Sequence, residues 1–362
     1  MKRYFGIFLL SLLYILIAFM VYYLVPVSVY YTITETYTIE KIPIGEKLRI
    51  GLILPSENPY QTISEPEIEW DGEYRLSDRG DCQLCYLSAH SRDERRYRAR
   101  VKYKAILRQG KIKWQDEVKF EDTKAKPNIE SNRQPIKVKA DEIESEPGDF
   151  EFIDIFHFVQ RHITKYSDTT FSALQSIETG HASSISASNL AVAIARSKNI
   201  PARQMTGRRL NISFFLFPSK DTKYPGSRRG WCEFYQDSIW HFCDPLKVTV
   251  FTKFGYDRLD GTYLAFASNN DLIAYHQNIY SWAKSQGKEI HIADSSWRTA
   301  AGTTSDDIKI DSEIKINKSI DLRWIIIFLI FISIAMLRSI IKLRKIRNQH
   351  RDHLKSLVND VM

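Results

Sequence analysis

Two long apolar stretches bracket this chain of 362 residues and constrain everything between them. Residues 4–25 are almost continuously apolar behind Lys2 and Arg3, a length that suits one crossing of a bilayer. A cleaved signal peptide would be shorter and would end in small residues. Met20-Val-Tyr-Tyr-Leu-Val-Pro26 offers no such site, so this segment reads as an uncleaved signal anchor with Tyr22 and Tyr23 at the interface. The second stretch covers 324–337 and continues through Ile340 and Ile341. Arg338 interrupts it, but so long a side chain near a helix end can snorkel to the headgroups. Lys342, Arg344, Lys345 and Arg347 follow at once, and such a cluster marks the cytosolic side. Both termini are therefore expected in the cytosol of a bacterial cell, with the chain anchored in the inner membrane and its main domains in the periplasm.

That topology decides how charge and cysteines are read. The formal net charge is +8, but much of the excess sits in the C-terminal tail, so no nucleic-acid partner is expected. The expected partners are the membrane and a protein or peptide segment. Four cysteines in a non-cytosolic region permit two disulfides. Cys82-Gln-Leu-Cys85 has no second pair at zinc spacing and no βαβ pattern beside it, so neither a metal site nor a thioredoxin motif follows. No glycine-rich phosphate loop and no cluster of metal ligands occurs, so no cofactor is expected.

Between the apolar ends, residues 31–120 alternate β-branched and aromatic positions with polar ones, as in Tyr31-Thr-Ile-Thr-Glu-Thr-Tyr-Thr-Ile39. Runs of this kind separated by Pro, Gly and Asp predict a β-sandwich. Residues 121–148 turn polar and Pro-containing and read as a linker, as does 285–321. Residues 251–283 should complete the central domain with an aromatic-rich helix that includes Leu272 to Trp282.

The central region carries the motifs. Phe158-Val-Gln-Arg-His-Ile-Thr-Lys-Tyr166 leads into Ser172-Ala-Leu-Gln-Ser-Ile-Glu-Thr-Gly180. An apolar helical run at 189–196 then enters Ser197-Lys-Asn-Ile-Pro-Ala-Arg-Gln-Met-Thr-Gly207. Arg229-Gly-Trp-Cys-Glu-Phe-Tyr235 and Trp240-His-Phe-Cys-Asp-Pro245 follow. This ordered set, over roughly 150–250, resembles bacterial transglutaminase-like proteins of papain-like fold. Asn199 stands where the family has glycine, and Asn is the next residue suited to a left-handed helix cap. The resemblance places Ser184 at the nucleophile position, Arg229 at the histidine position and Asp244 at the third. It implies a catalytically degenerate member. A thiol at a helix N-terminus is activated by exposed N–H groups and the macrodipole, whereas a serine hydroxyl needs an adjacent base. Arg229 cannot serve, because a guanidinium stays protonated.

If Asp237-Ser238 is a two-residue hairpin turn, Trp231 faces Asp244 and Cys232 faces Cys243. Arg229 and Asp244 then lie within ion-pair reach, Cys232 and Cys243 within disulfide reach, and His241 points away from the site. His181, Trp231 and Trp240 are the candidate groove residues. The expected fold is α+β: a papain-like transglutaminase core preceded by a β-sandwich-like domain and flanked by two transmembrane helices. The expected organisation is a signal anchor over 1–30, a β-rich domain over 31–120, a linker over 121–148 and a transglutaminase-like domain over 149–284. A polar linker over 285–321, a transmembrane helix over 322–342 and a basic tail over 343–362 complete it. The function expected is a binding or scaffolding subunit of a membrane-associated assembly. The alternatives are an amide hydrolase or acyltransferase using Ser184 with an unidentified base, and a purely structural subunit whose cleft holds nothing.

Overall fold

In the computed structural model the described residues run from 27 to 318, with breaks at 41–43, 46, 91–96, 112, 145–151, 168–169, 211–227, 247–256, 261, 270, 285–290, 296–298 and 304–308. They resume as short helical stretches between 328 and 347. Residues 28–319 form one compact unit, and 1–27 with 320–362 are grouped as another. Among the described residues no helix is long and apolar enough to cross a membrane. The expected signal anchor lies outside the described residues, and the second apolar stretch is described only in part.

The larger unit opens with seven strands: β1 (Val27–Glu40), β2 (Lys47–Pro55), β3 (Gln61–Ile63), β4 (Glu67–Glu69), β5 (Glu73–Asp78), β6 (Cys82–His90) and β7 (Tyr97–Lys111). A 3-10 turn at Phe120–Thr123 precedes α1 (Gln134–Glu144), α2 (Phe152–His162), β8 (Lys165–Tyr166), α3 (Ala173–Thr179), β9 (His181–Ala182) and α4 (Ser184–Ser197). Then come β10 (Ala202–Arg209), β11 (Arg228–Gln236), β12 (Ile239–Cys243), β13 (Arg258–Asp260), β14 (Tyr263–Ser268), α5 (Asp271–Lys284), β15 (His291–Ser295), β16 (Thr299–Thr303) and β17 (Lys309–Lys318).

The sandwich is discontinuous in sequence. One sheet has the order β13-β7-β1-β17, with β3 and β4 also paired to β7, and the other has the order β15-β16-β2-β6-β5. Their inward residues, among them Ile33, Ile50, Leu84 and Val101, share one buried core. The expected polar linker over 285–321 is thus corrected: it supplies β15, β16 and β17. An outer strand of a half-solvated antiparallel sheet needs only one apolar face, so its sequence reads as polar. The expected linker over 121–148 also contains a helix, α1, which buries Ile136, Ala140 and Ile143 at helical spacing. The helix α5 does form, but it packs on the sandwich: Ile279 lies in the sandwich core and against Gly51 of β2, where a Cβ would come within 2.6 Å of it.

The central domain is a four-stranded sheet of order β12-β11-β10-β14 with α4 across it. Thirteen residues of α4 are buried, from Ser184 to Arg196. Small side chains such as Ala187, Ala191 and Ala195 allow this close packing, and α1, α2 and α3 cover the remaining sides. Ser183 caps α4 by accepting from Ser186 N, and Asn199 takes the left-handed conformation after its end with φ 59°. Arg196 ties that end down. Its guanidinium donates to Ala202 O, Lys124 O and Asn269 Oδ1, and burial pushes its pKa down to about 10.

Candidate functional site

Ser184 is the first residue of α4, and it meets β11 where that strand has no side chain. A Cβ on Gly230 would come within 2.5 Å of Ile185 Cα and 2.8 Å of Ser184 O, so glycine sets how close helix and strand can be. The Gly230 N–H donates to Ser184 Oγ at 3.1 Å. Among the described residues that is the one hydrogen-bond partner of the hydroxyl, and neither a histidine nor a carboxylate reaches it.

The hairpin sets the other two positions. Asp237 and Ser238 have φ of 53° and 63°, the left-handed pair of a two-residue type I′ turn. The register that follows pairs Cys232 with Cys243 and Glu233 with Phe242. Arg229 and Asp244 thereby share a face and bond as a fork: Nε to Oδ2 at 3.0 Å, Nη2 to Oδ1 at 3.0 Å and Nη2 to Oδ2 at 2.9 Å. Asp244 is fully buried and takes two further bonds, from Tyr263 Oη at 2.6 Å and from Leu246 N at 3.1 Å. Tyr263 gave no signal in the sequence, because it arrives from β14, two strands away from β11. Gly230 could have been found, since a glycine inside a strand marks close backbone approach.

Below this pair lies a buried layer. Glu233 Oε2 accepts from Arg203 Nε at 2.8 Å, Arg203 Nη2 donates to Asp116 at 2.9 Å, and the guanidinium lies 3.9 Å from the Trp240 ring centre. Burial raises the Glu233 pKa, with Arg203 opposing it. Burial raises the Tyr60 pKa further, and the neighbouring Glu233 charge adds to the rise. Trp231 donates Nε1 to Tyr60 Oη at 3.2 Å, and Trp240 donates to Asp116 O at 3.1 Å.

The structure corrects two of these expectations, the open groove at Trp231 and Trp240 and the bond between Cys232 and Cys243. Trp231 and Trp240 have 0% exposure and fill the space between sheet and sandwich, so they do not line an open groove. His181 is half-buried in β9, paired with Lys165, and its backbone N–H donates to Thr179 Oγ1. Cys232 and Cys243 are cross-strand neighbours, but both thiols are free and Cys232 Sγ donates to Cys243 O at 3.3 Å. Their pairing puts them in an apolar core, where burial raises the Cys243 pKa and keeps the thiol protonated. Cys82 and Cys85 are also free and buried, and burial pushes Cys85 up to about 12. The expectation that His241 points away from the site needs correction too: paired with Phe234 it lies on the same strand face as Gly230, but it stacks on the Phe234 ring and contacts Asp257 at 2.7 Å, not Ser184.

No family model matches the sequence, and no curated protein does. Among solved structures the chain is similar to a candidate cysteine protease from Cytophaga hutchinsonii, with 11% identity and a TM-score of 0.49 over 82% of this chain and 100% of that one. It is also similar to the periplasmic domain of TgpA from Pseudomonas aeruginosa, with 15% identity and a TM-score of 0.27 over 57% of this chain and 74% of that one. A structure described as a TGase matches at 15% identity and a TM-score of 0.25, over 51% of this chain and 46% of that one. At these values the functional reading rests on the residues of the site itself.

Proposed function

We propose that this protein is a membrane-anchored, non-catalytic member of the transglutaminase-like class, which presents its central domain outside the cytosol as a binding or scaffolding subunit. The fork of Arg229 on Asp244 carries the reading. A transglutaminase-type site needs a group there that accepts and returns a proton, and a guanidinium held on a carboxylate does neither. Among the described residues, the groups that reach Asp244 all donate to it, which leaves this carboxylate no role in orienting a base. Ser184, with an N–H donor as its partner, has nothing to take its proton.

Anchoring is supported by the sandwich. Tyr31 of β1 and Lys318 of β17 are direct partners, so the segments preceding β1 and following β17 leave the sandwich at the same end. A chain that enters one bilayer twice needs that arrangement. Together with the basic cluster from Lys342 to Arg347, it favours cytosolic termini and a periplasmic body.

The test joins topology and chemistry. A reporter fused after residue 320 should register outside the cytosol, and one fused after residue 362 inside it. Hydrolysis of activated esters by the full chain should be unchanged in Ser184→Ala. A cytosolic signal at the first fusion removes the anchoring, and a rate lost with Ser184 removes the non-catalytic assignment.

A further inference from the structure

Where the sandwich meets the central sheet, a carboxylate is enclosed with too little to hold its charge. Glu233 is 2% exposed, and its Oε2 accepts from Arg203 Nε. Among the described residues its Oε1 has no hydrogen bond, and neither has Nε1 of Trp114, whose ring packs edge-on against Tyr60. A buried polar atom without a partner bears its full desolvation cost, which is greatest when the atom is charged.

The surrounding elements each bring their own groups. Among the described residues Arg203 of β10 is the one cation in contact, and it is shared: Nη2 donates to Asp116 Oδ2 on the segment after β7. Asp122 of the 3-10 turn adds a negative charge nearby, its own oxygens taken by Asn269 Nδ2 and Lys119 N. From the sandwich side the Tyr60 hydroxyl lies beside the carboxylate. The facing partner on β12 is the apolar Phe242, and Tyr235 on the same strand as Glu233 packs on Trp240. Further along, Arg229 and Asp244 hold each other. One guanidinium therefore faces two carboxylates. The Asp116 side chain has water on one side, with 39% exposure, and Glu233 has almost none, so a proton on Glu233 balances the layer best. The raised pKa of Glu233 agrees, with burial as its main cause, Asp122 adding to it, and Arg203 and Tyr60 opposing it.

The sandwich closes over this layer through two segments that make single bonds. Tyr60 Oη accepts from the Trp231 indole. The stretch 114–116 is held by the Trp240 N–H on Trp114 O at 2.8 Å, the Trp240 indole on Asp116 O, and the Arg203 bond. Bonds so few can open while the four-stranded ladder stays intact.

We propose that this seam is a proton-operated clasp. With a proton on Glu233, the segments around Tyr60 and Trp114 close on the central sheet; loss of that proton to solvent lets them part, so that water reaches Oε1. Because the closed form binds the proton more tightly, closure is full below the ordinary glutamate range and weakens as pH rises through the raised value. The clasp goes beyond the binding role above and does not depend on Ser184.

The test is hydrogen exchange of the full chain in detergent, resolved at the Trp240 amide, whose bond to Trp114 O crosses the seam. The unmodified chain and Glu233→Gln are compared at equal pH, so the intrinsic pH dependence of exchange cancels. From about pH 5 to about pH 9 the ratio of their rates at Trp240 should grow about tenfold or more beyond any growth at the Ile163 amide, which bonds Val159 O at the end of α2. Asp116→Asn leaves the guanidinium wholly to Glu233 and should lessen the rise seen in the unmodified chain. It takes the place of the Gln variant if that one does not fold. A ratio at Trp240 that stays flat with pH overturns the clasp, and so does one that grows equally at Ile163, since the whole fold would then be opening. Neither result touches the non-catalytic reading, which only acylation or turnover at Ser184 removes.

Discussion

Asp244 shows how far single residues could be read. Its type and its reach to Arg229 follow from counting along a hairpin, and the fork is found there. Tyr263 and Leu246, which complete its shell, come from tertiary packing and a loop turn that no local pattern encodes. Because Asp244 is fully buried and meets only donors, Asp244→Asn should cost about 3–5 kcal/mol in urea unfolding, with Arg229 left as an uncompensated cation. Glu233 gives a prediction in pH. Burial raises its folded-state pKa, so the folded protein binds this proton more tightly than the unfolded chain does. Its contribution to stability is therefore full below the ordinary glutamate range and declines as pH rises through the raised value. Unfolding free energy followed upward from about pH 4 should fall less steeply in Glu233→Gln than in the unmodified chain. Equal slopes would assign the pH dependence to other groups.

At the level of elements, the buried helix and the hairpin were legible, and the outer strands were not. The run at 189–196 has apolar residues at helical spacing, and Asn199 punctuates its end. The strand β17 carries Ile310, Ile314 and Ile316 on one parity, a period-2 signal obscured by the charged residues between them. The aromatics of α5 have the spacing of a packed face, but spacing cannot say which layer they pack against, and Ile279 chose the sandwich. The approach of α4 to β11 gives the sharpest test at this scale. Gly230→Ala would press a methyl group onto helix backbone, which cannot yield as a flexible side chain can. A loss of about 1–3 kcal/mol is expected by circular dichroism during thermal unfolding. An unchanged midpoint would mean that helix and strand are not held at this distance.

For the whole molecule, the sandwich and the central sheet cannot be separated by cutting at the expected linkers. β13 belongs to the sandwich but comes from the middle of the central domain, and Tyr60 and Trp114 pack into the cluster that holds Trp231 and Phe242. Residues 28–319 without the apolar ends should therefore unfold in one cooperative transition. A chain ending at residue 284 would lose β15, β16 and β17, exposing the edges of β1 and β2, and should aggregate. The sequence hides this closure because β15 and β16 are short and β17 alternates its isoleucines with charged residues. The central claim, that an arginine stands where a proton acceptor is needed, is tested most directly by intact-mass spectrometry of the full chain in detergent after exposure to a fluorophosphonate. The expected result is no adduct on Ser184 and a spectrum identical to that of Ser184→Ala. An adduct that maps to Ser184 and disappears in Ser184→Ala would contradict it.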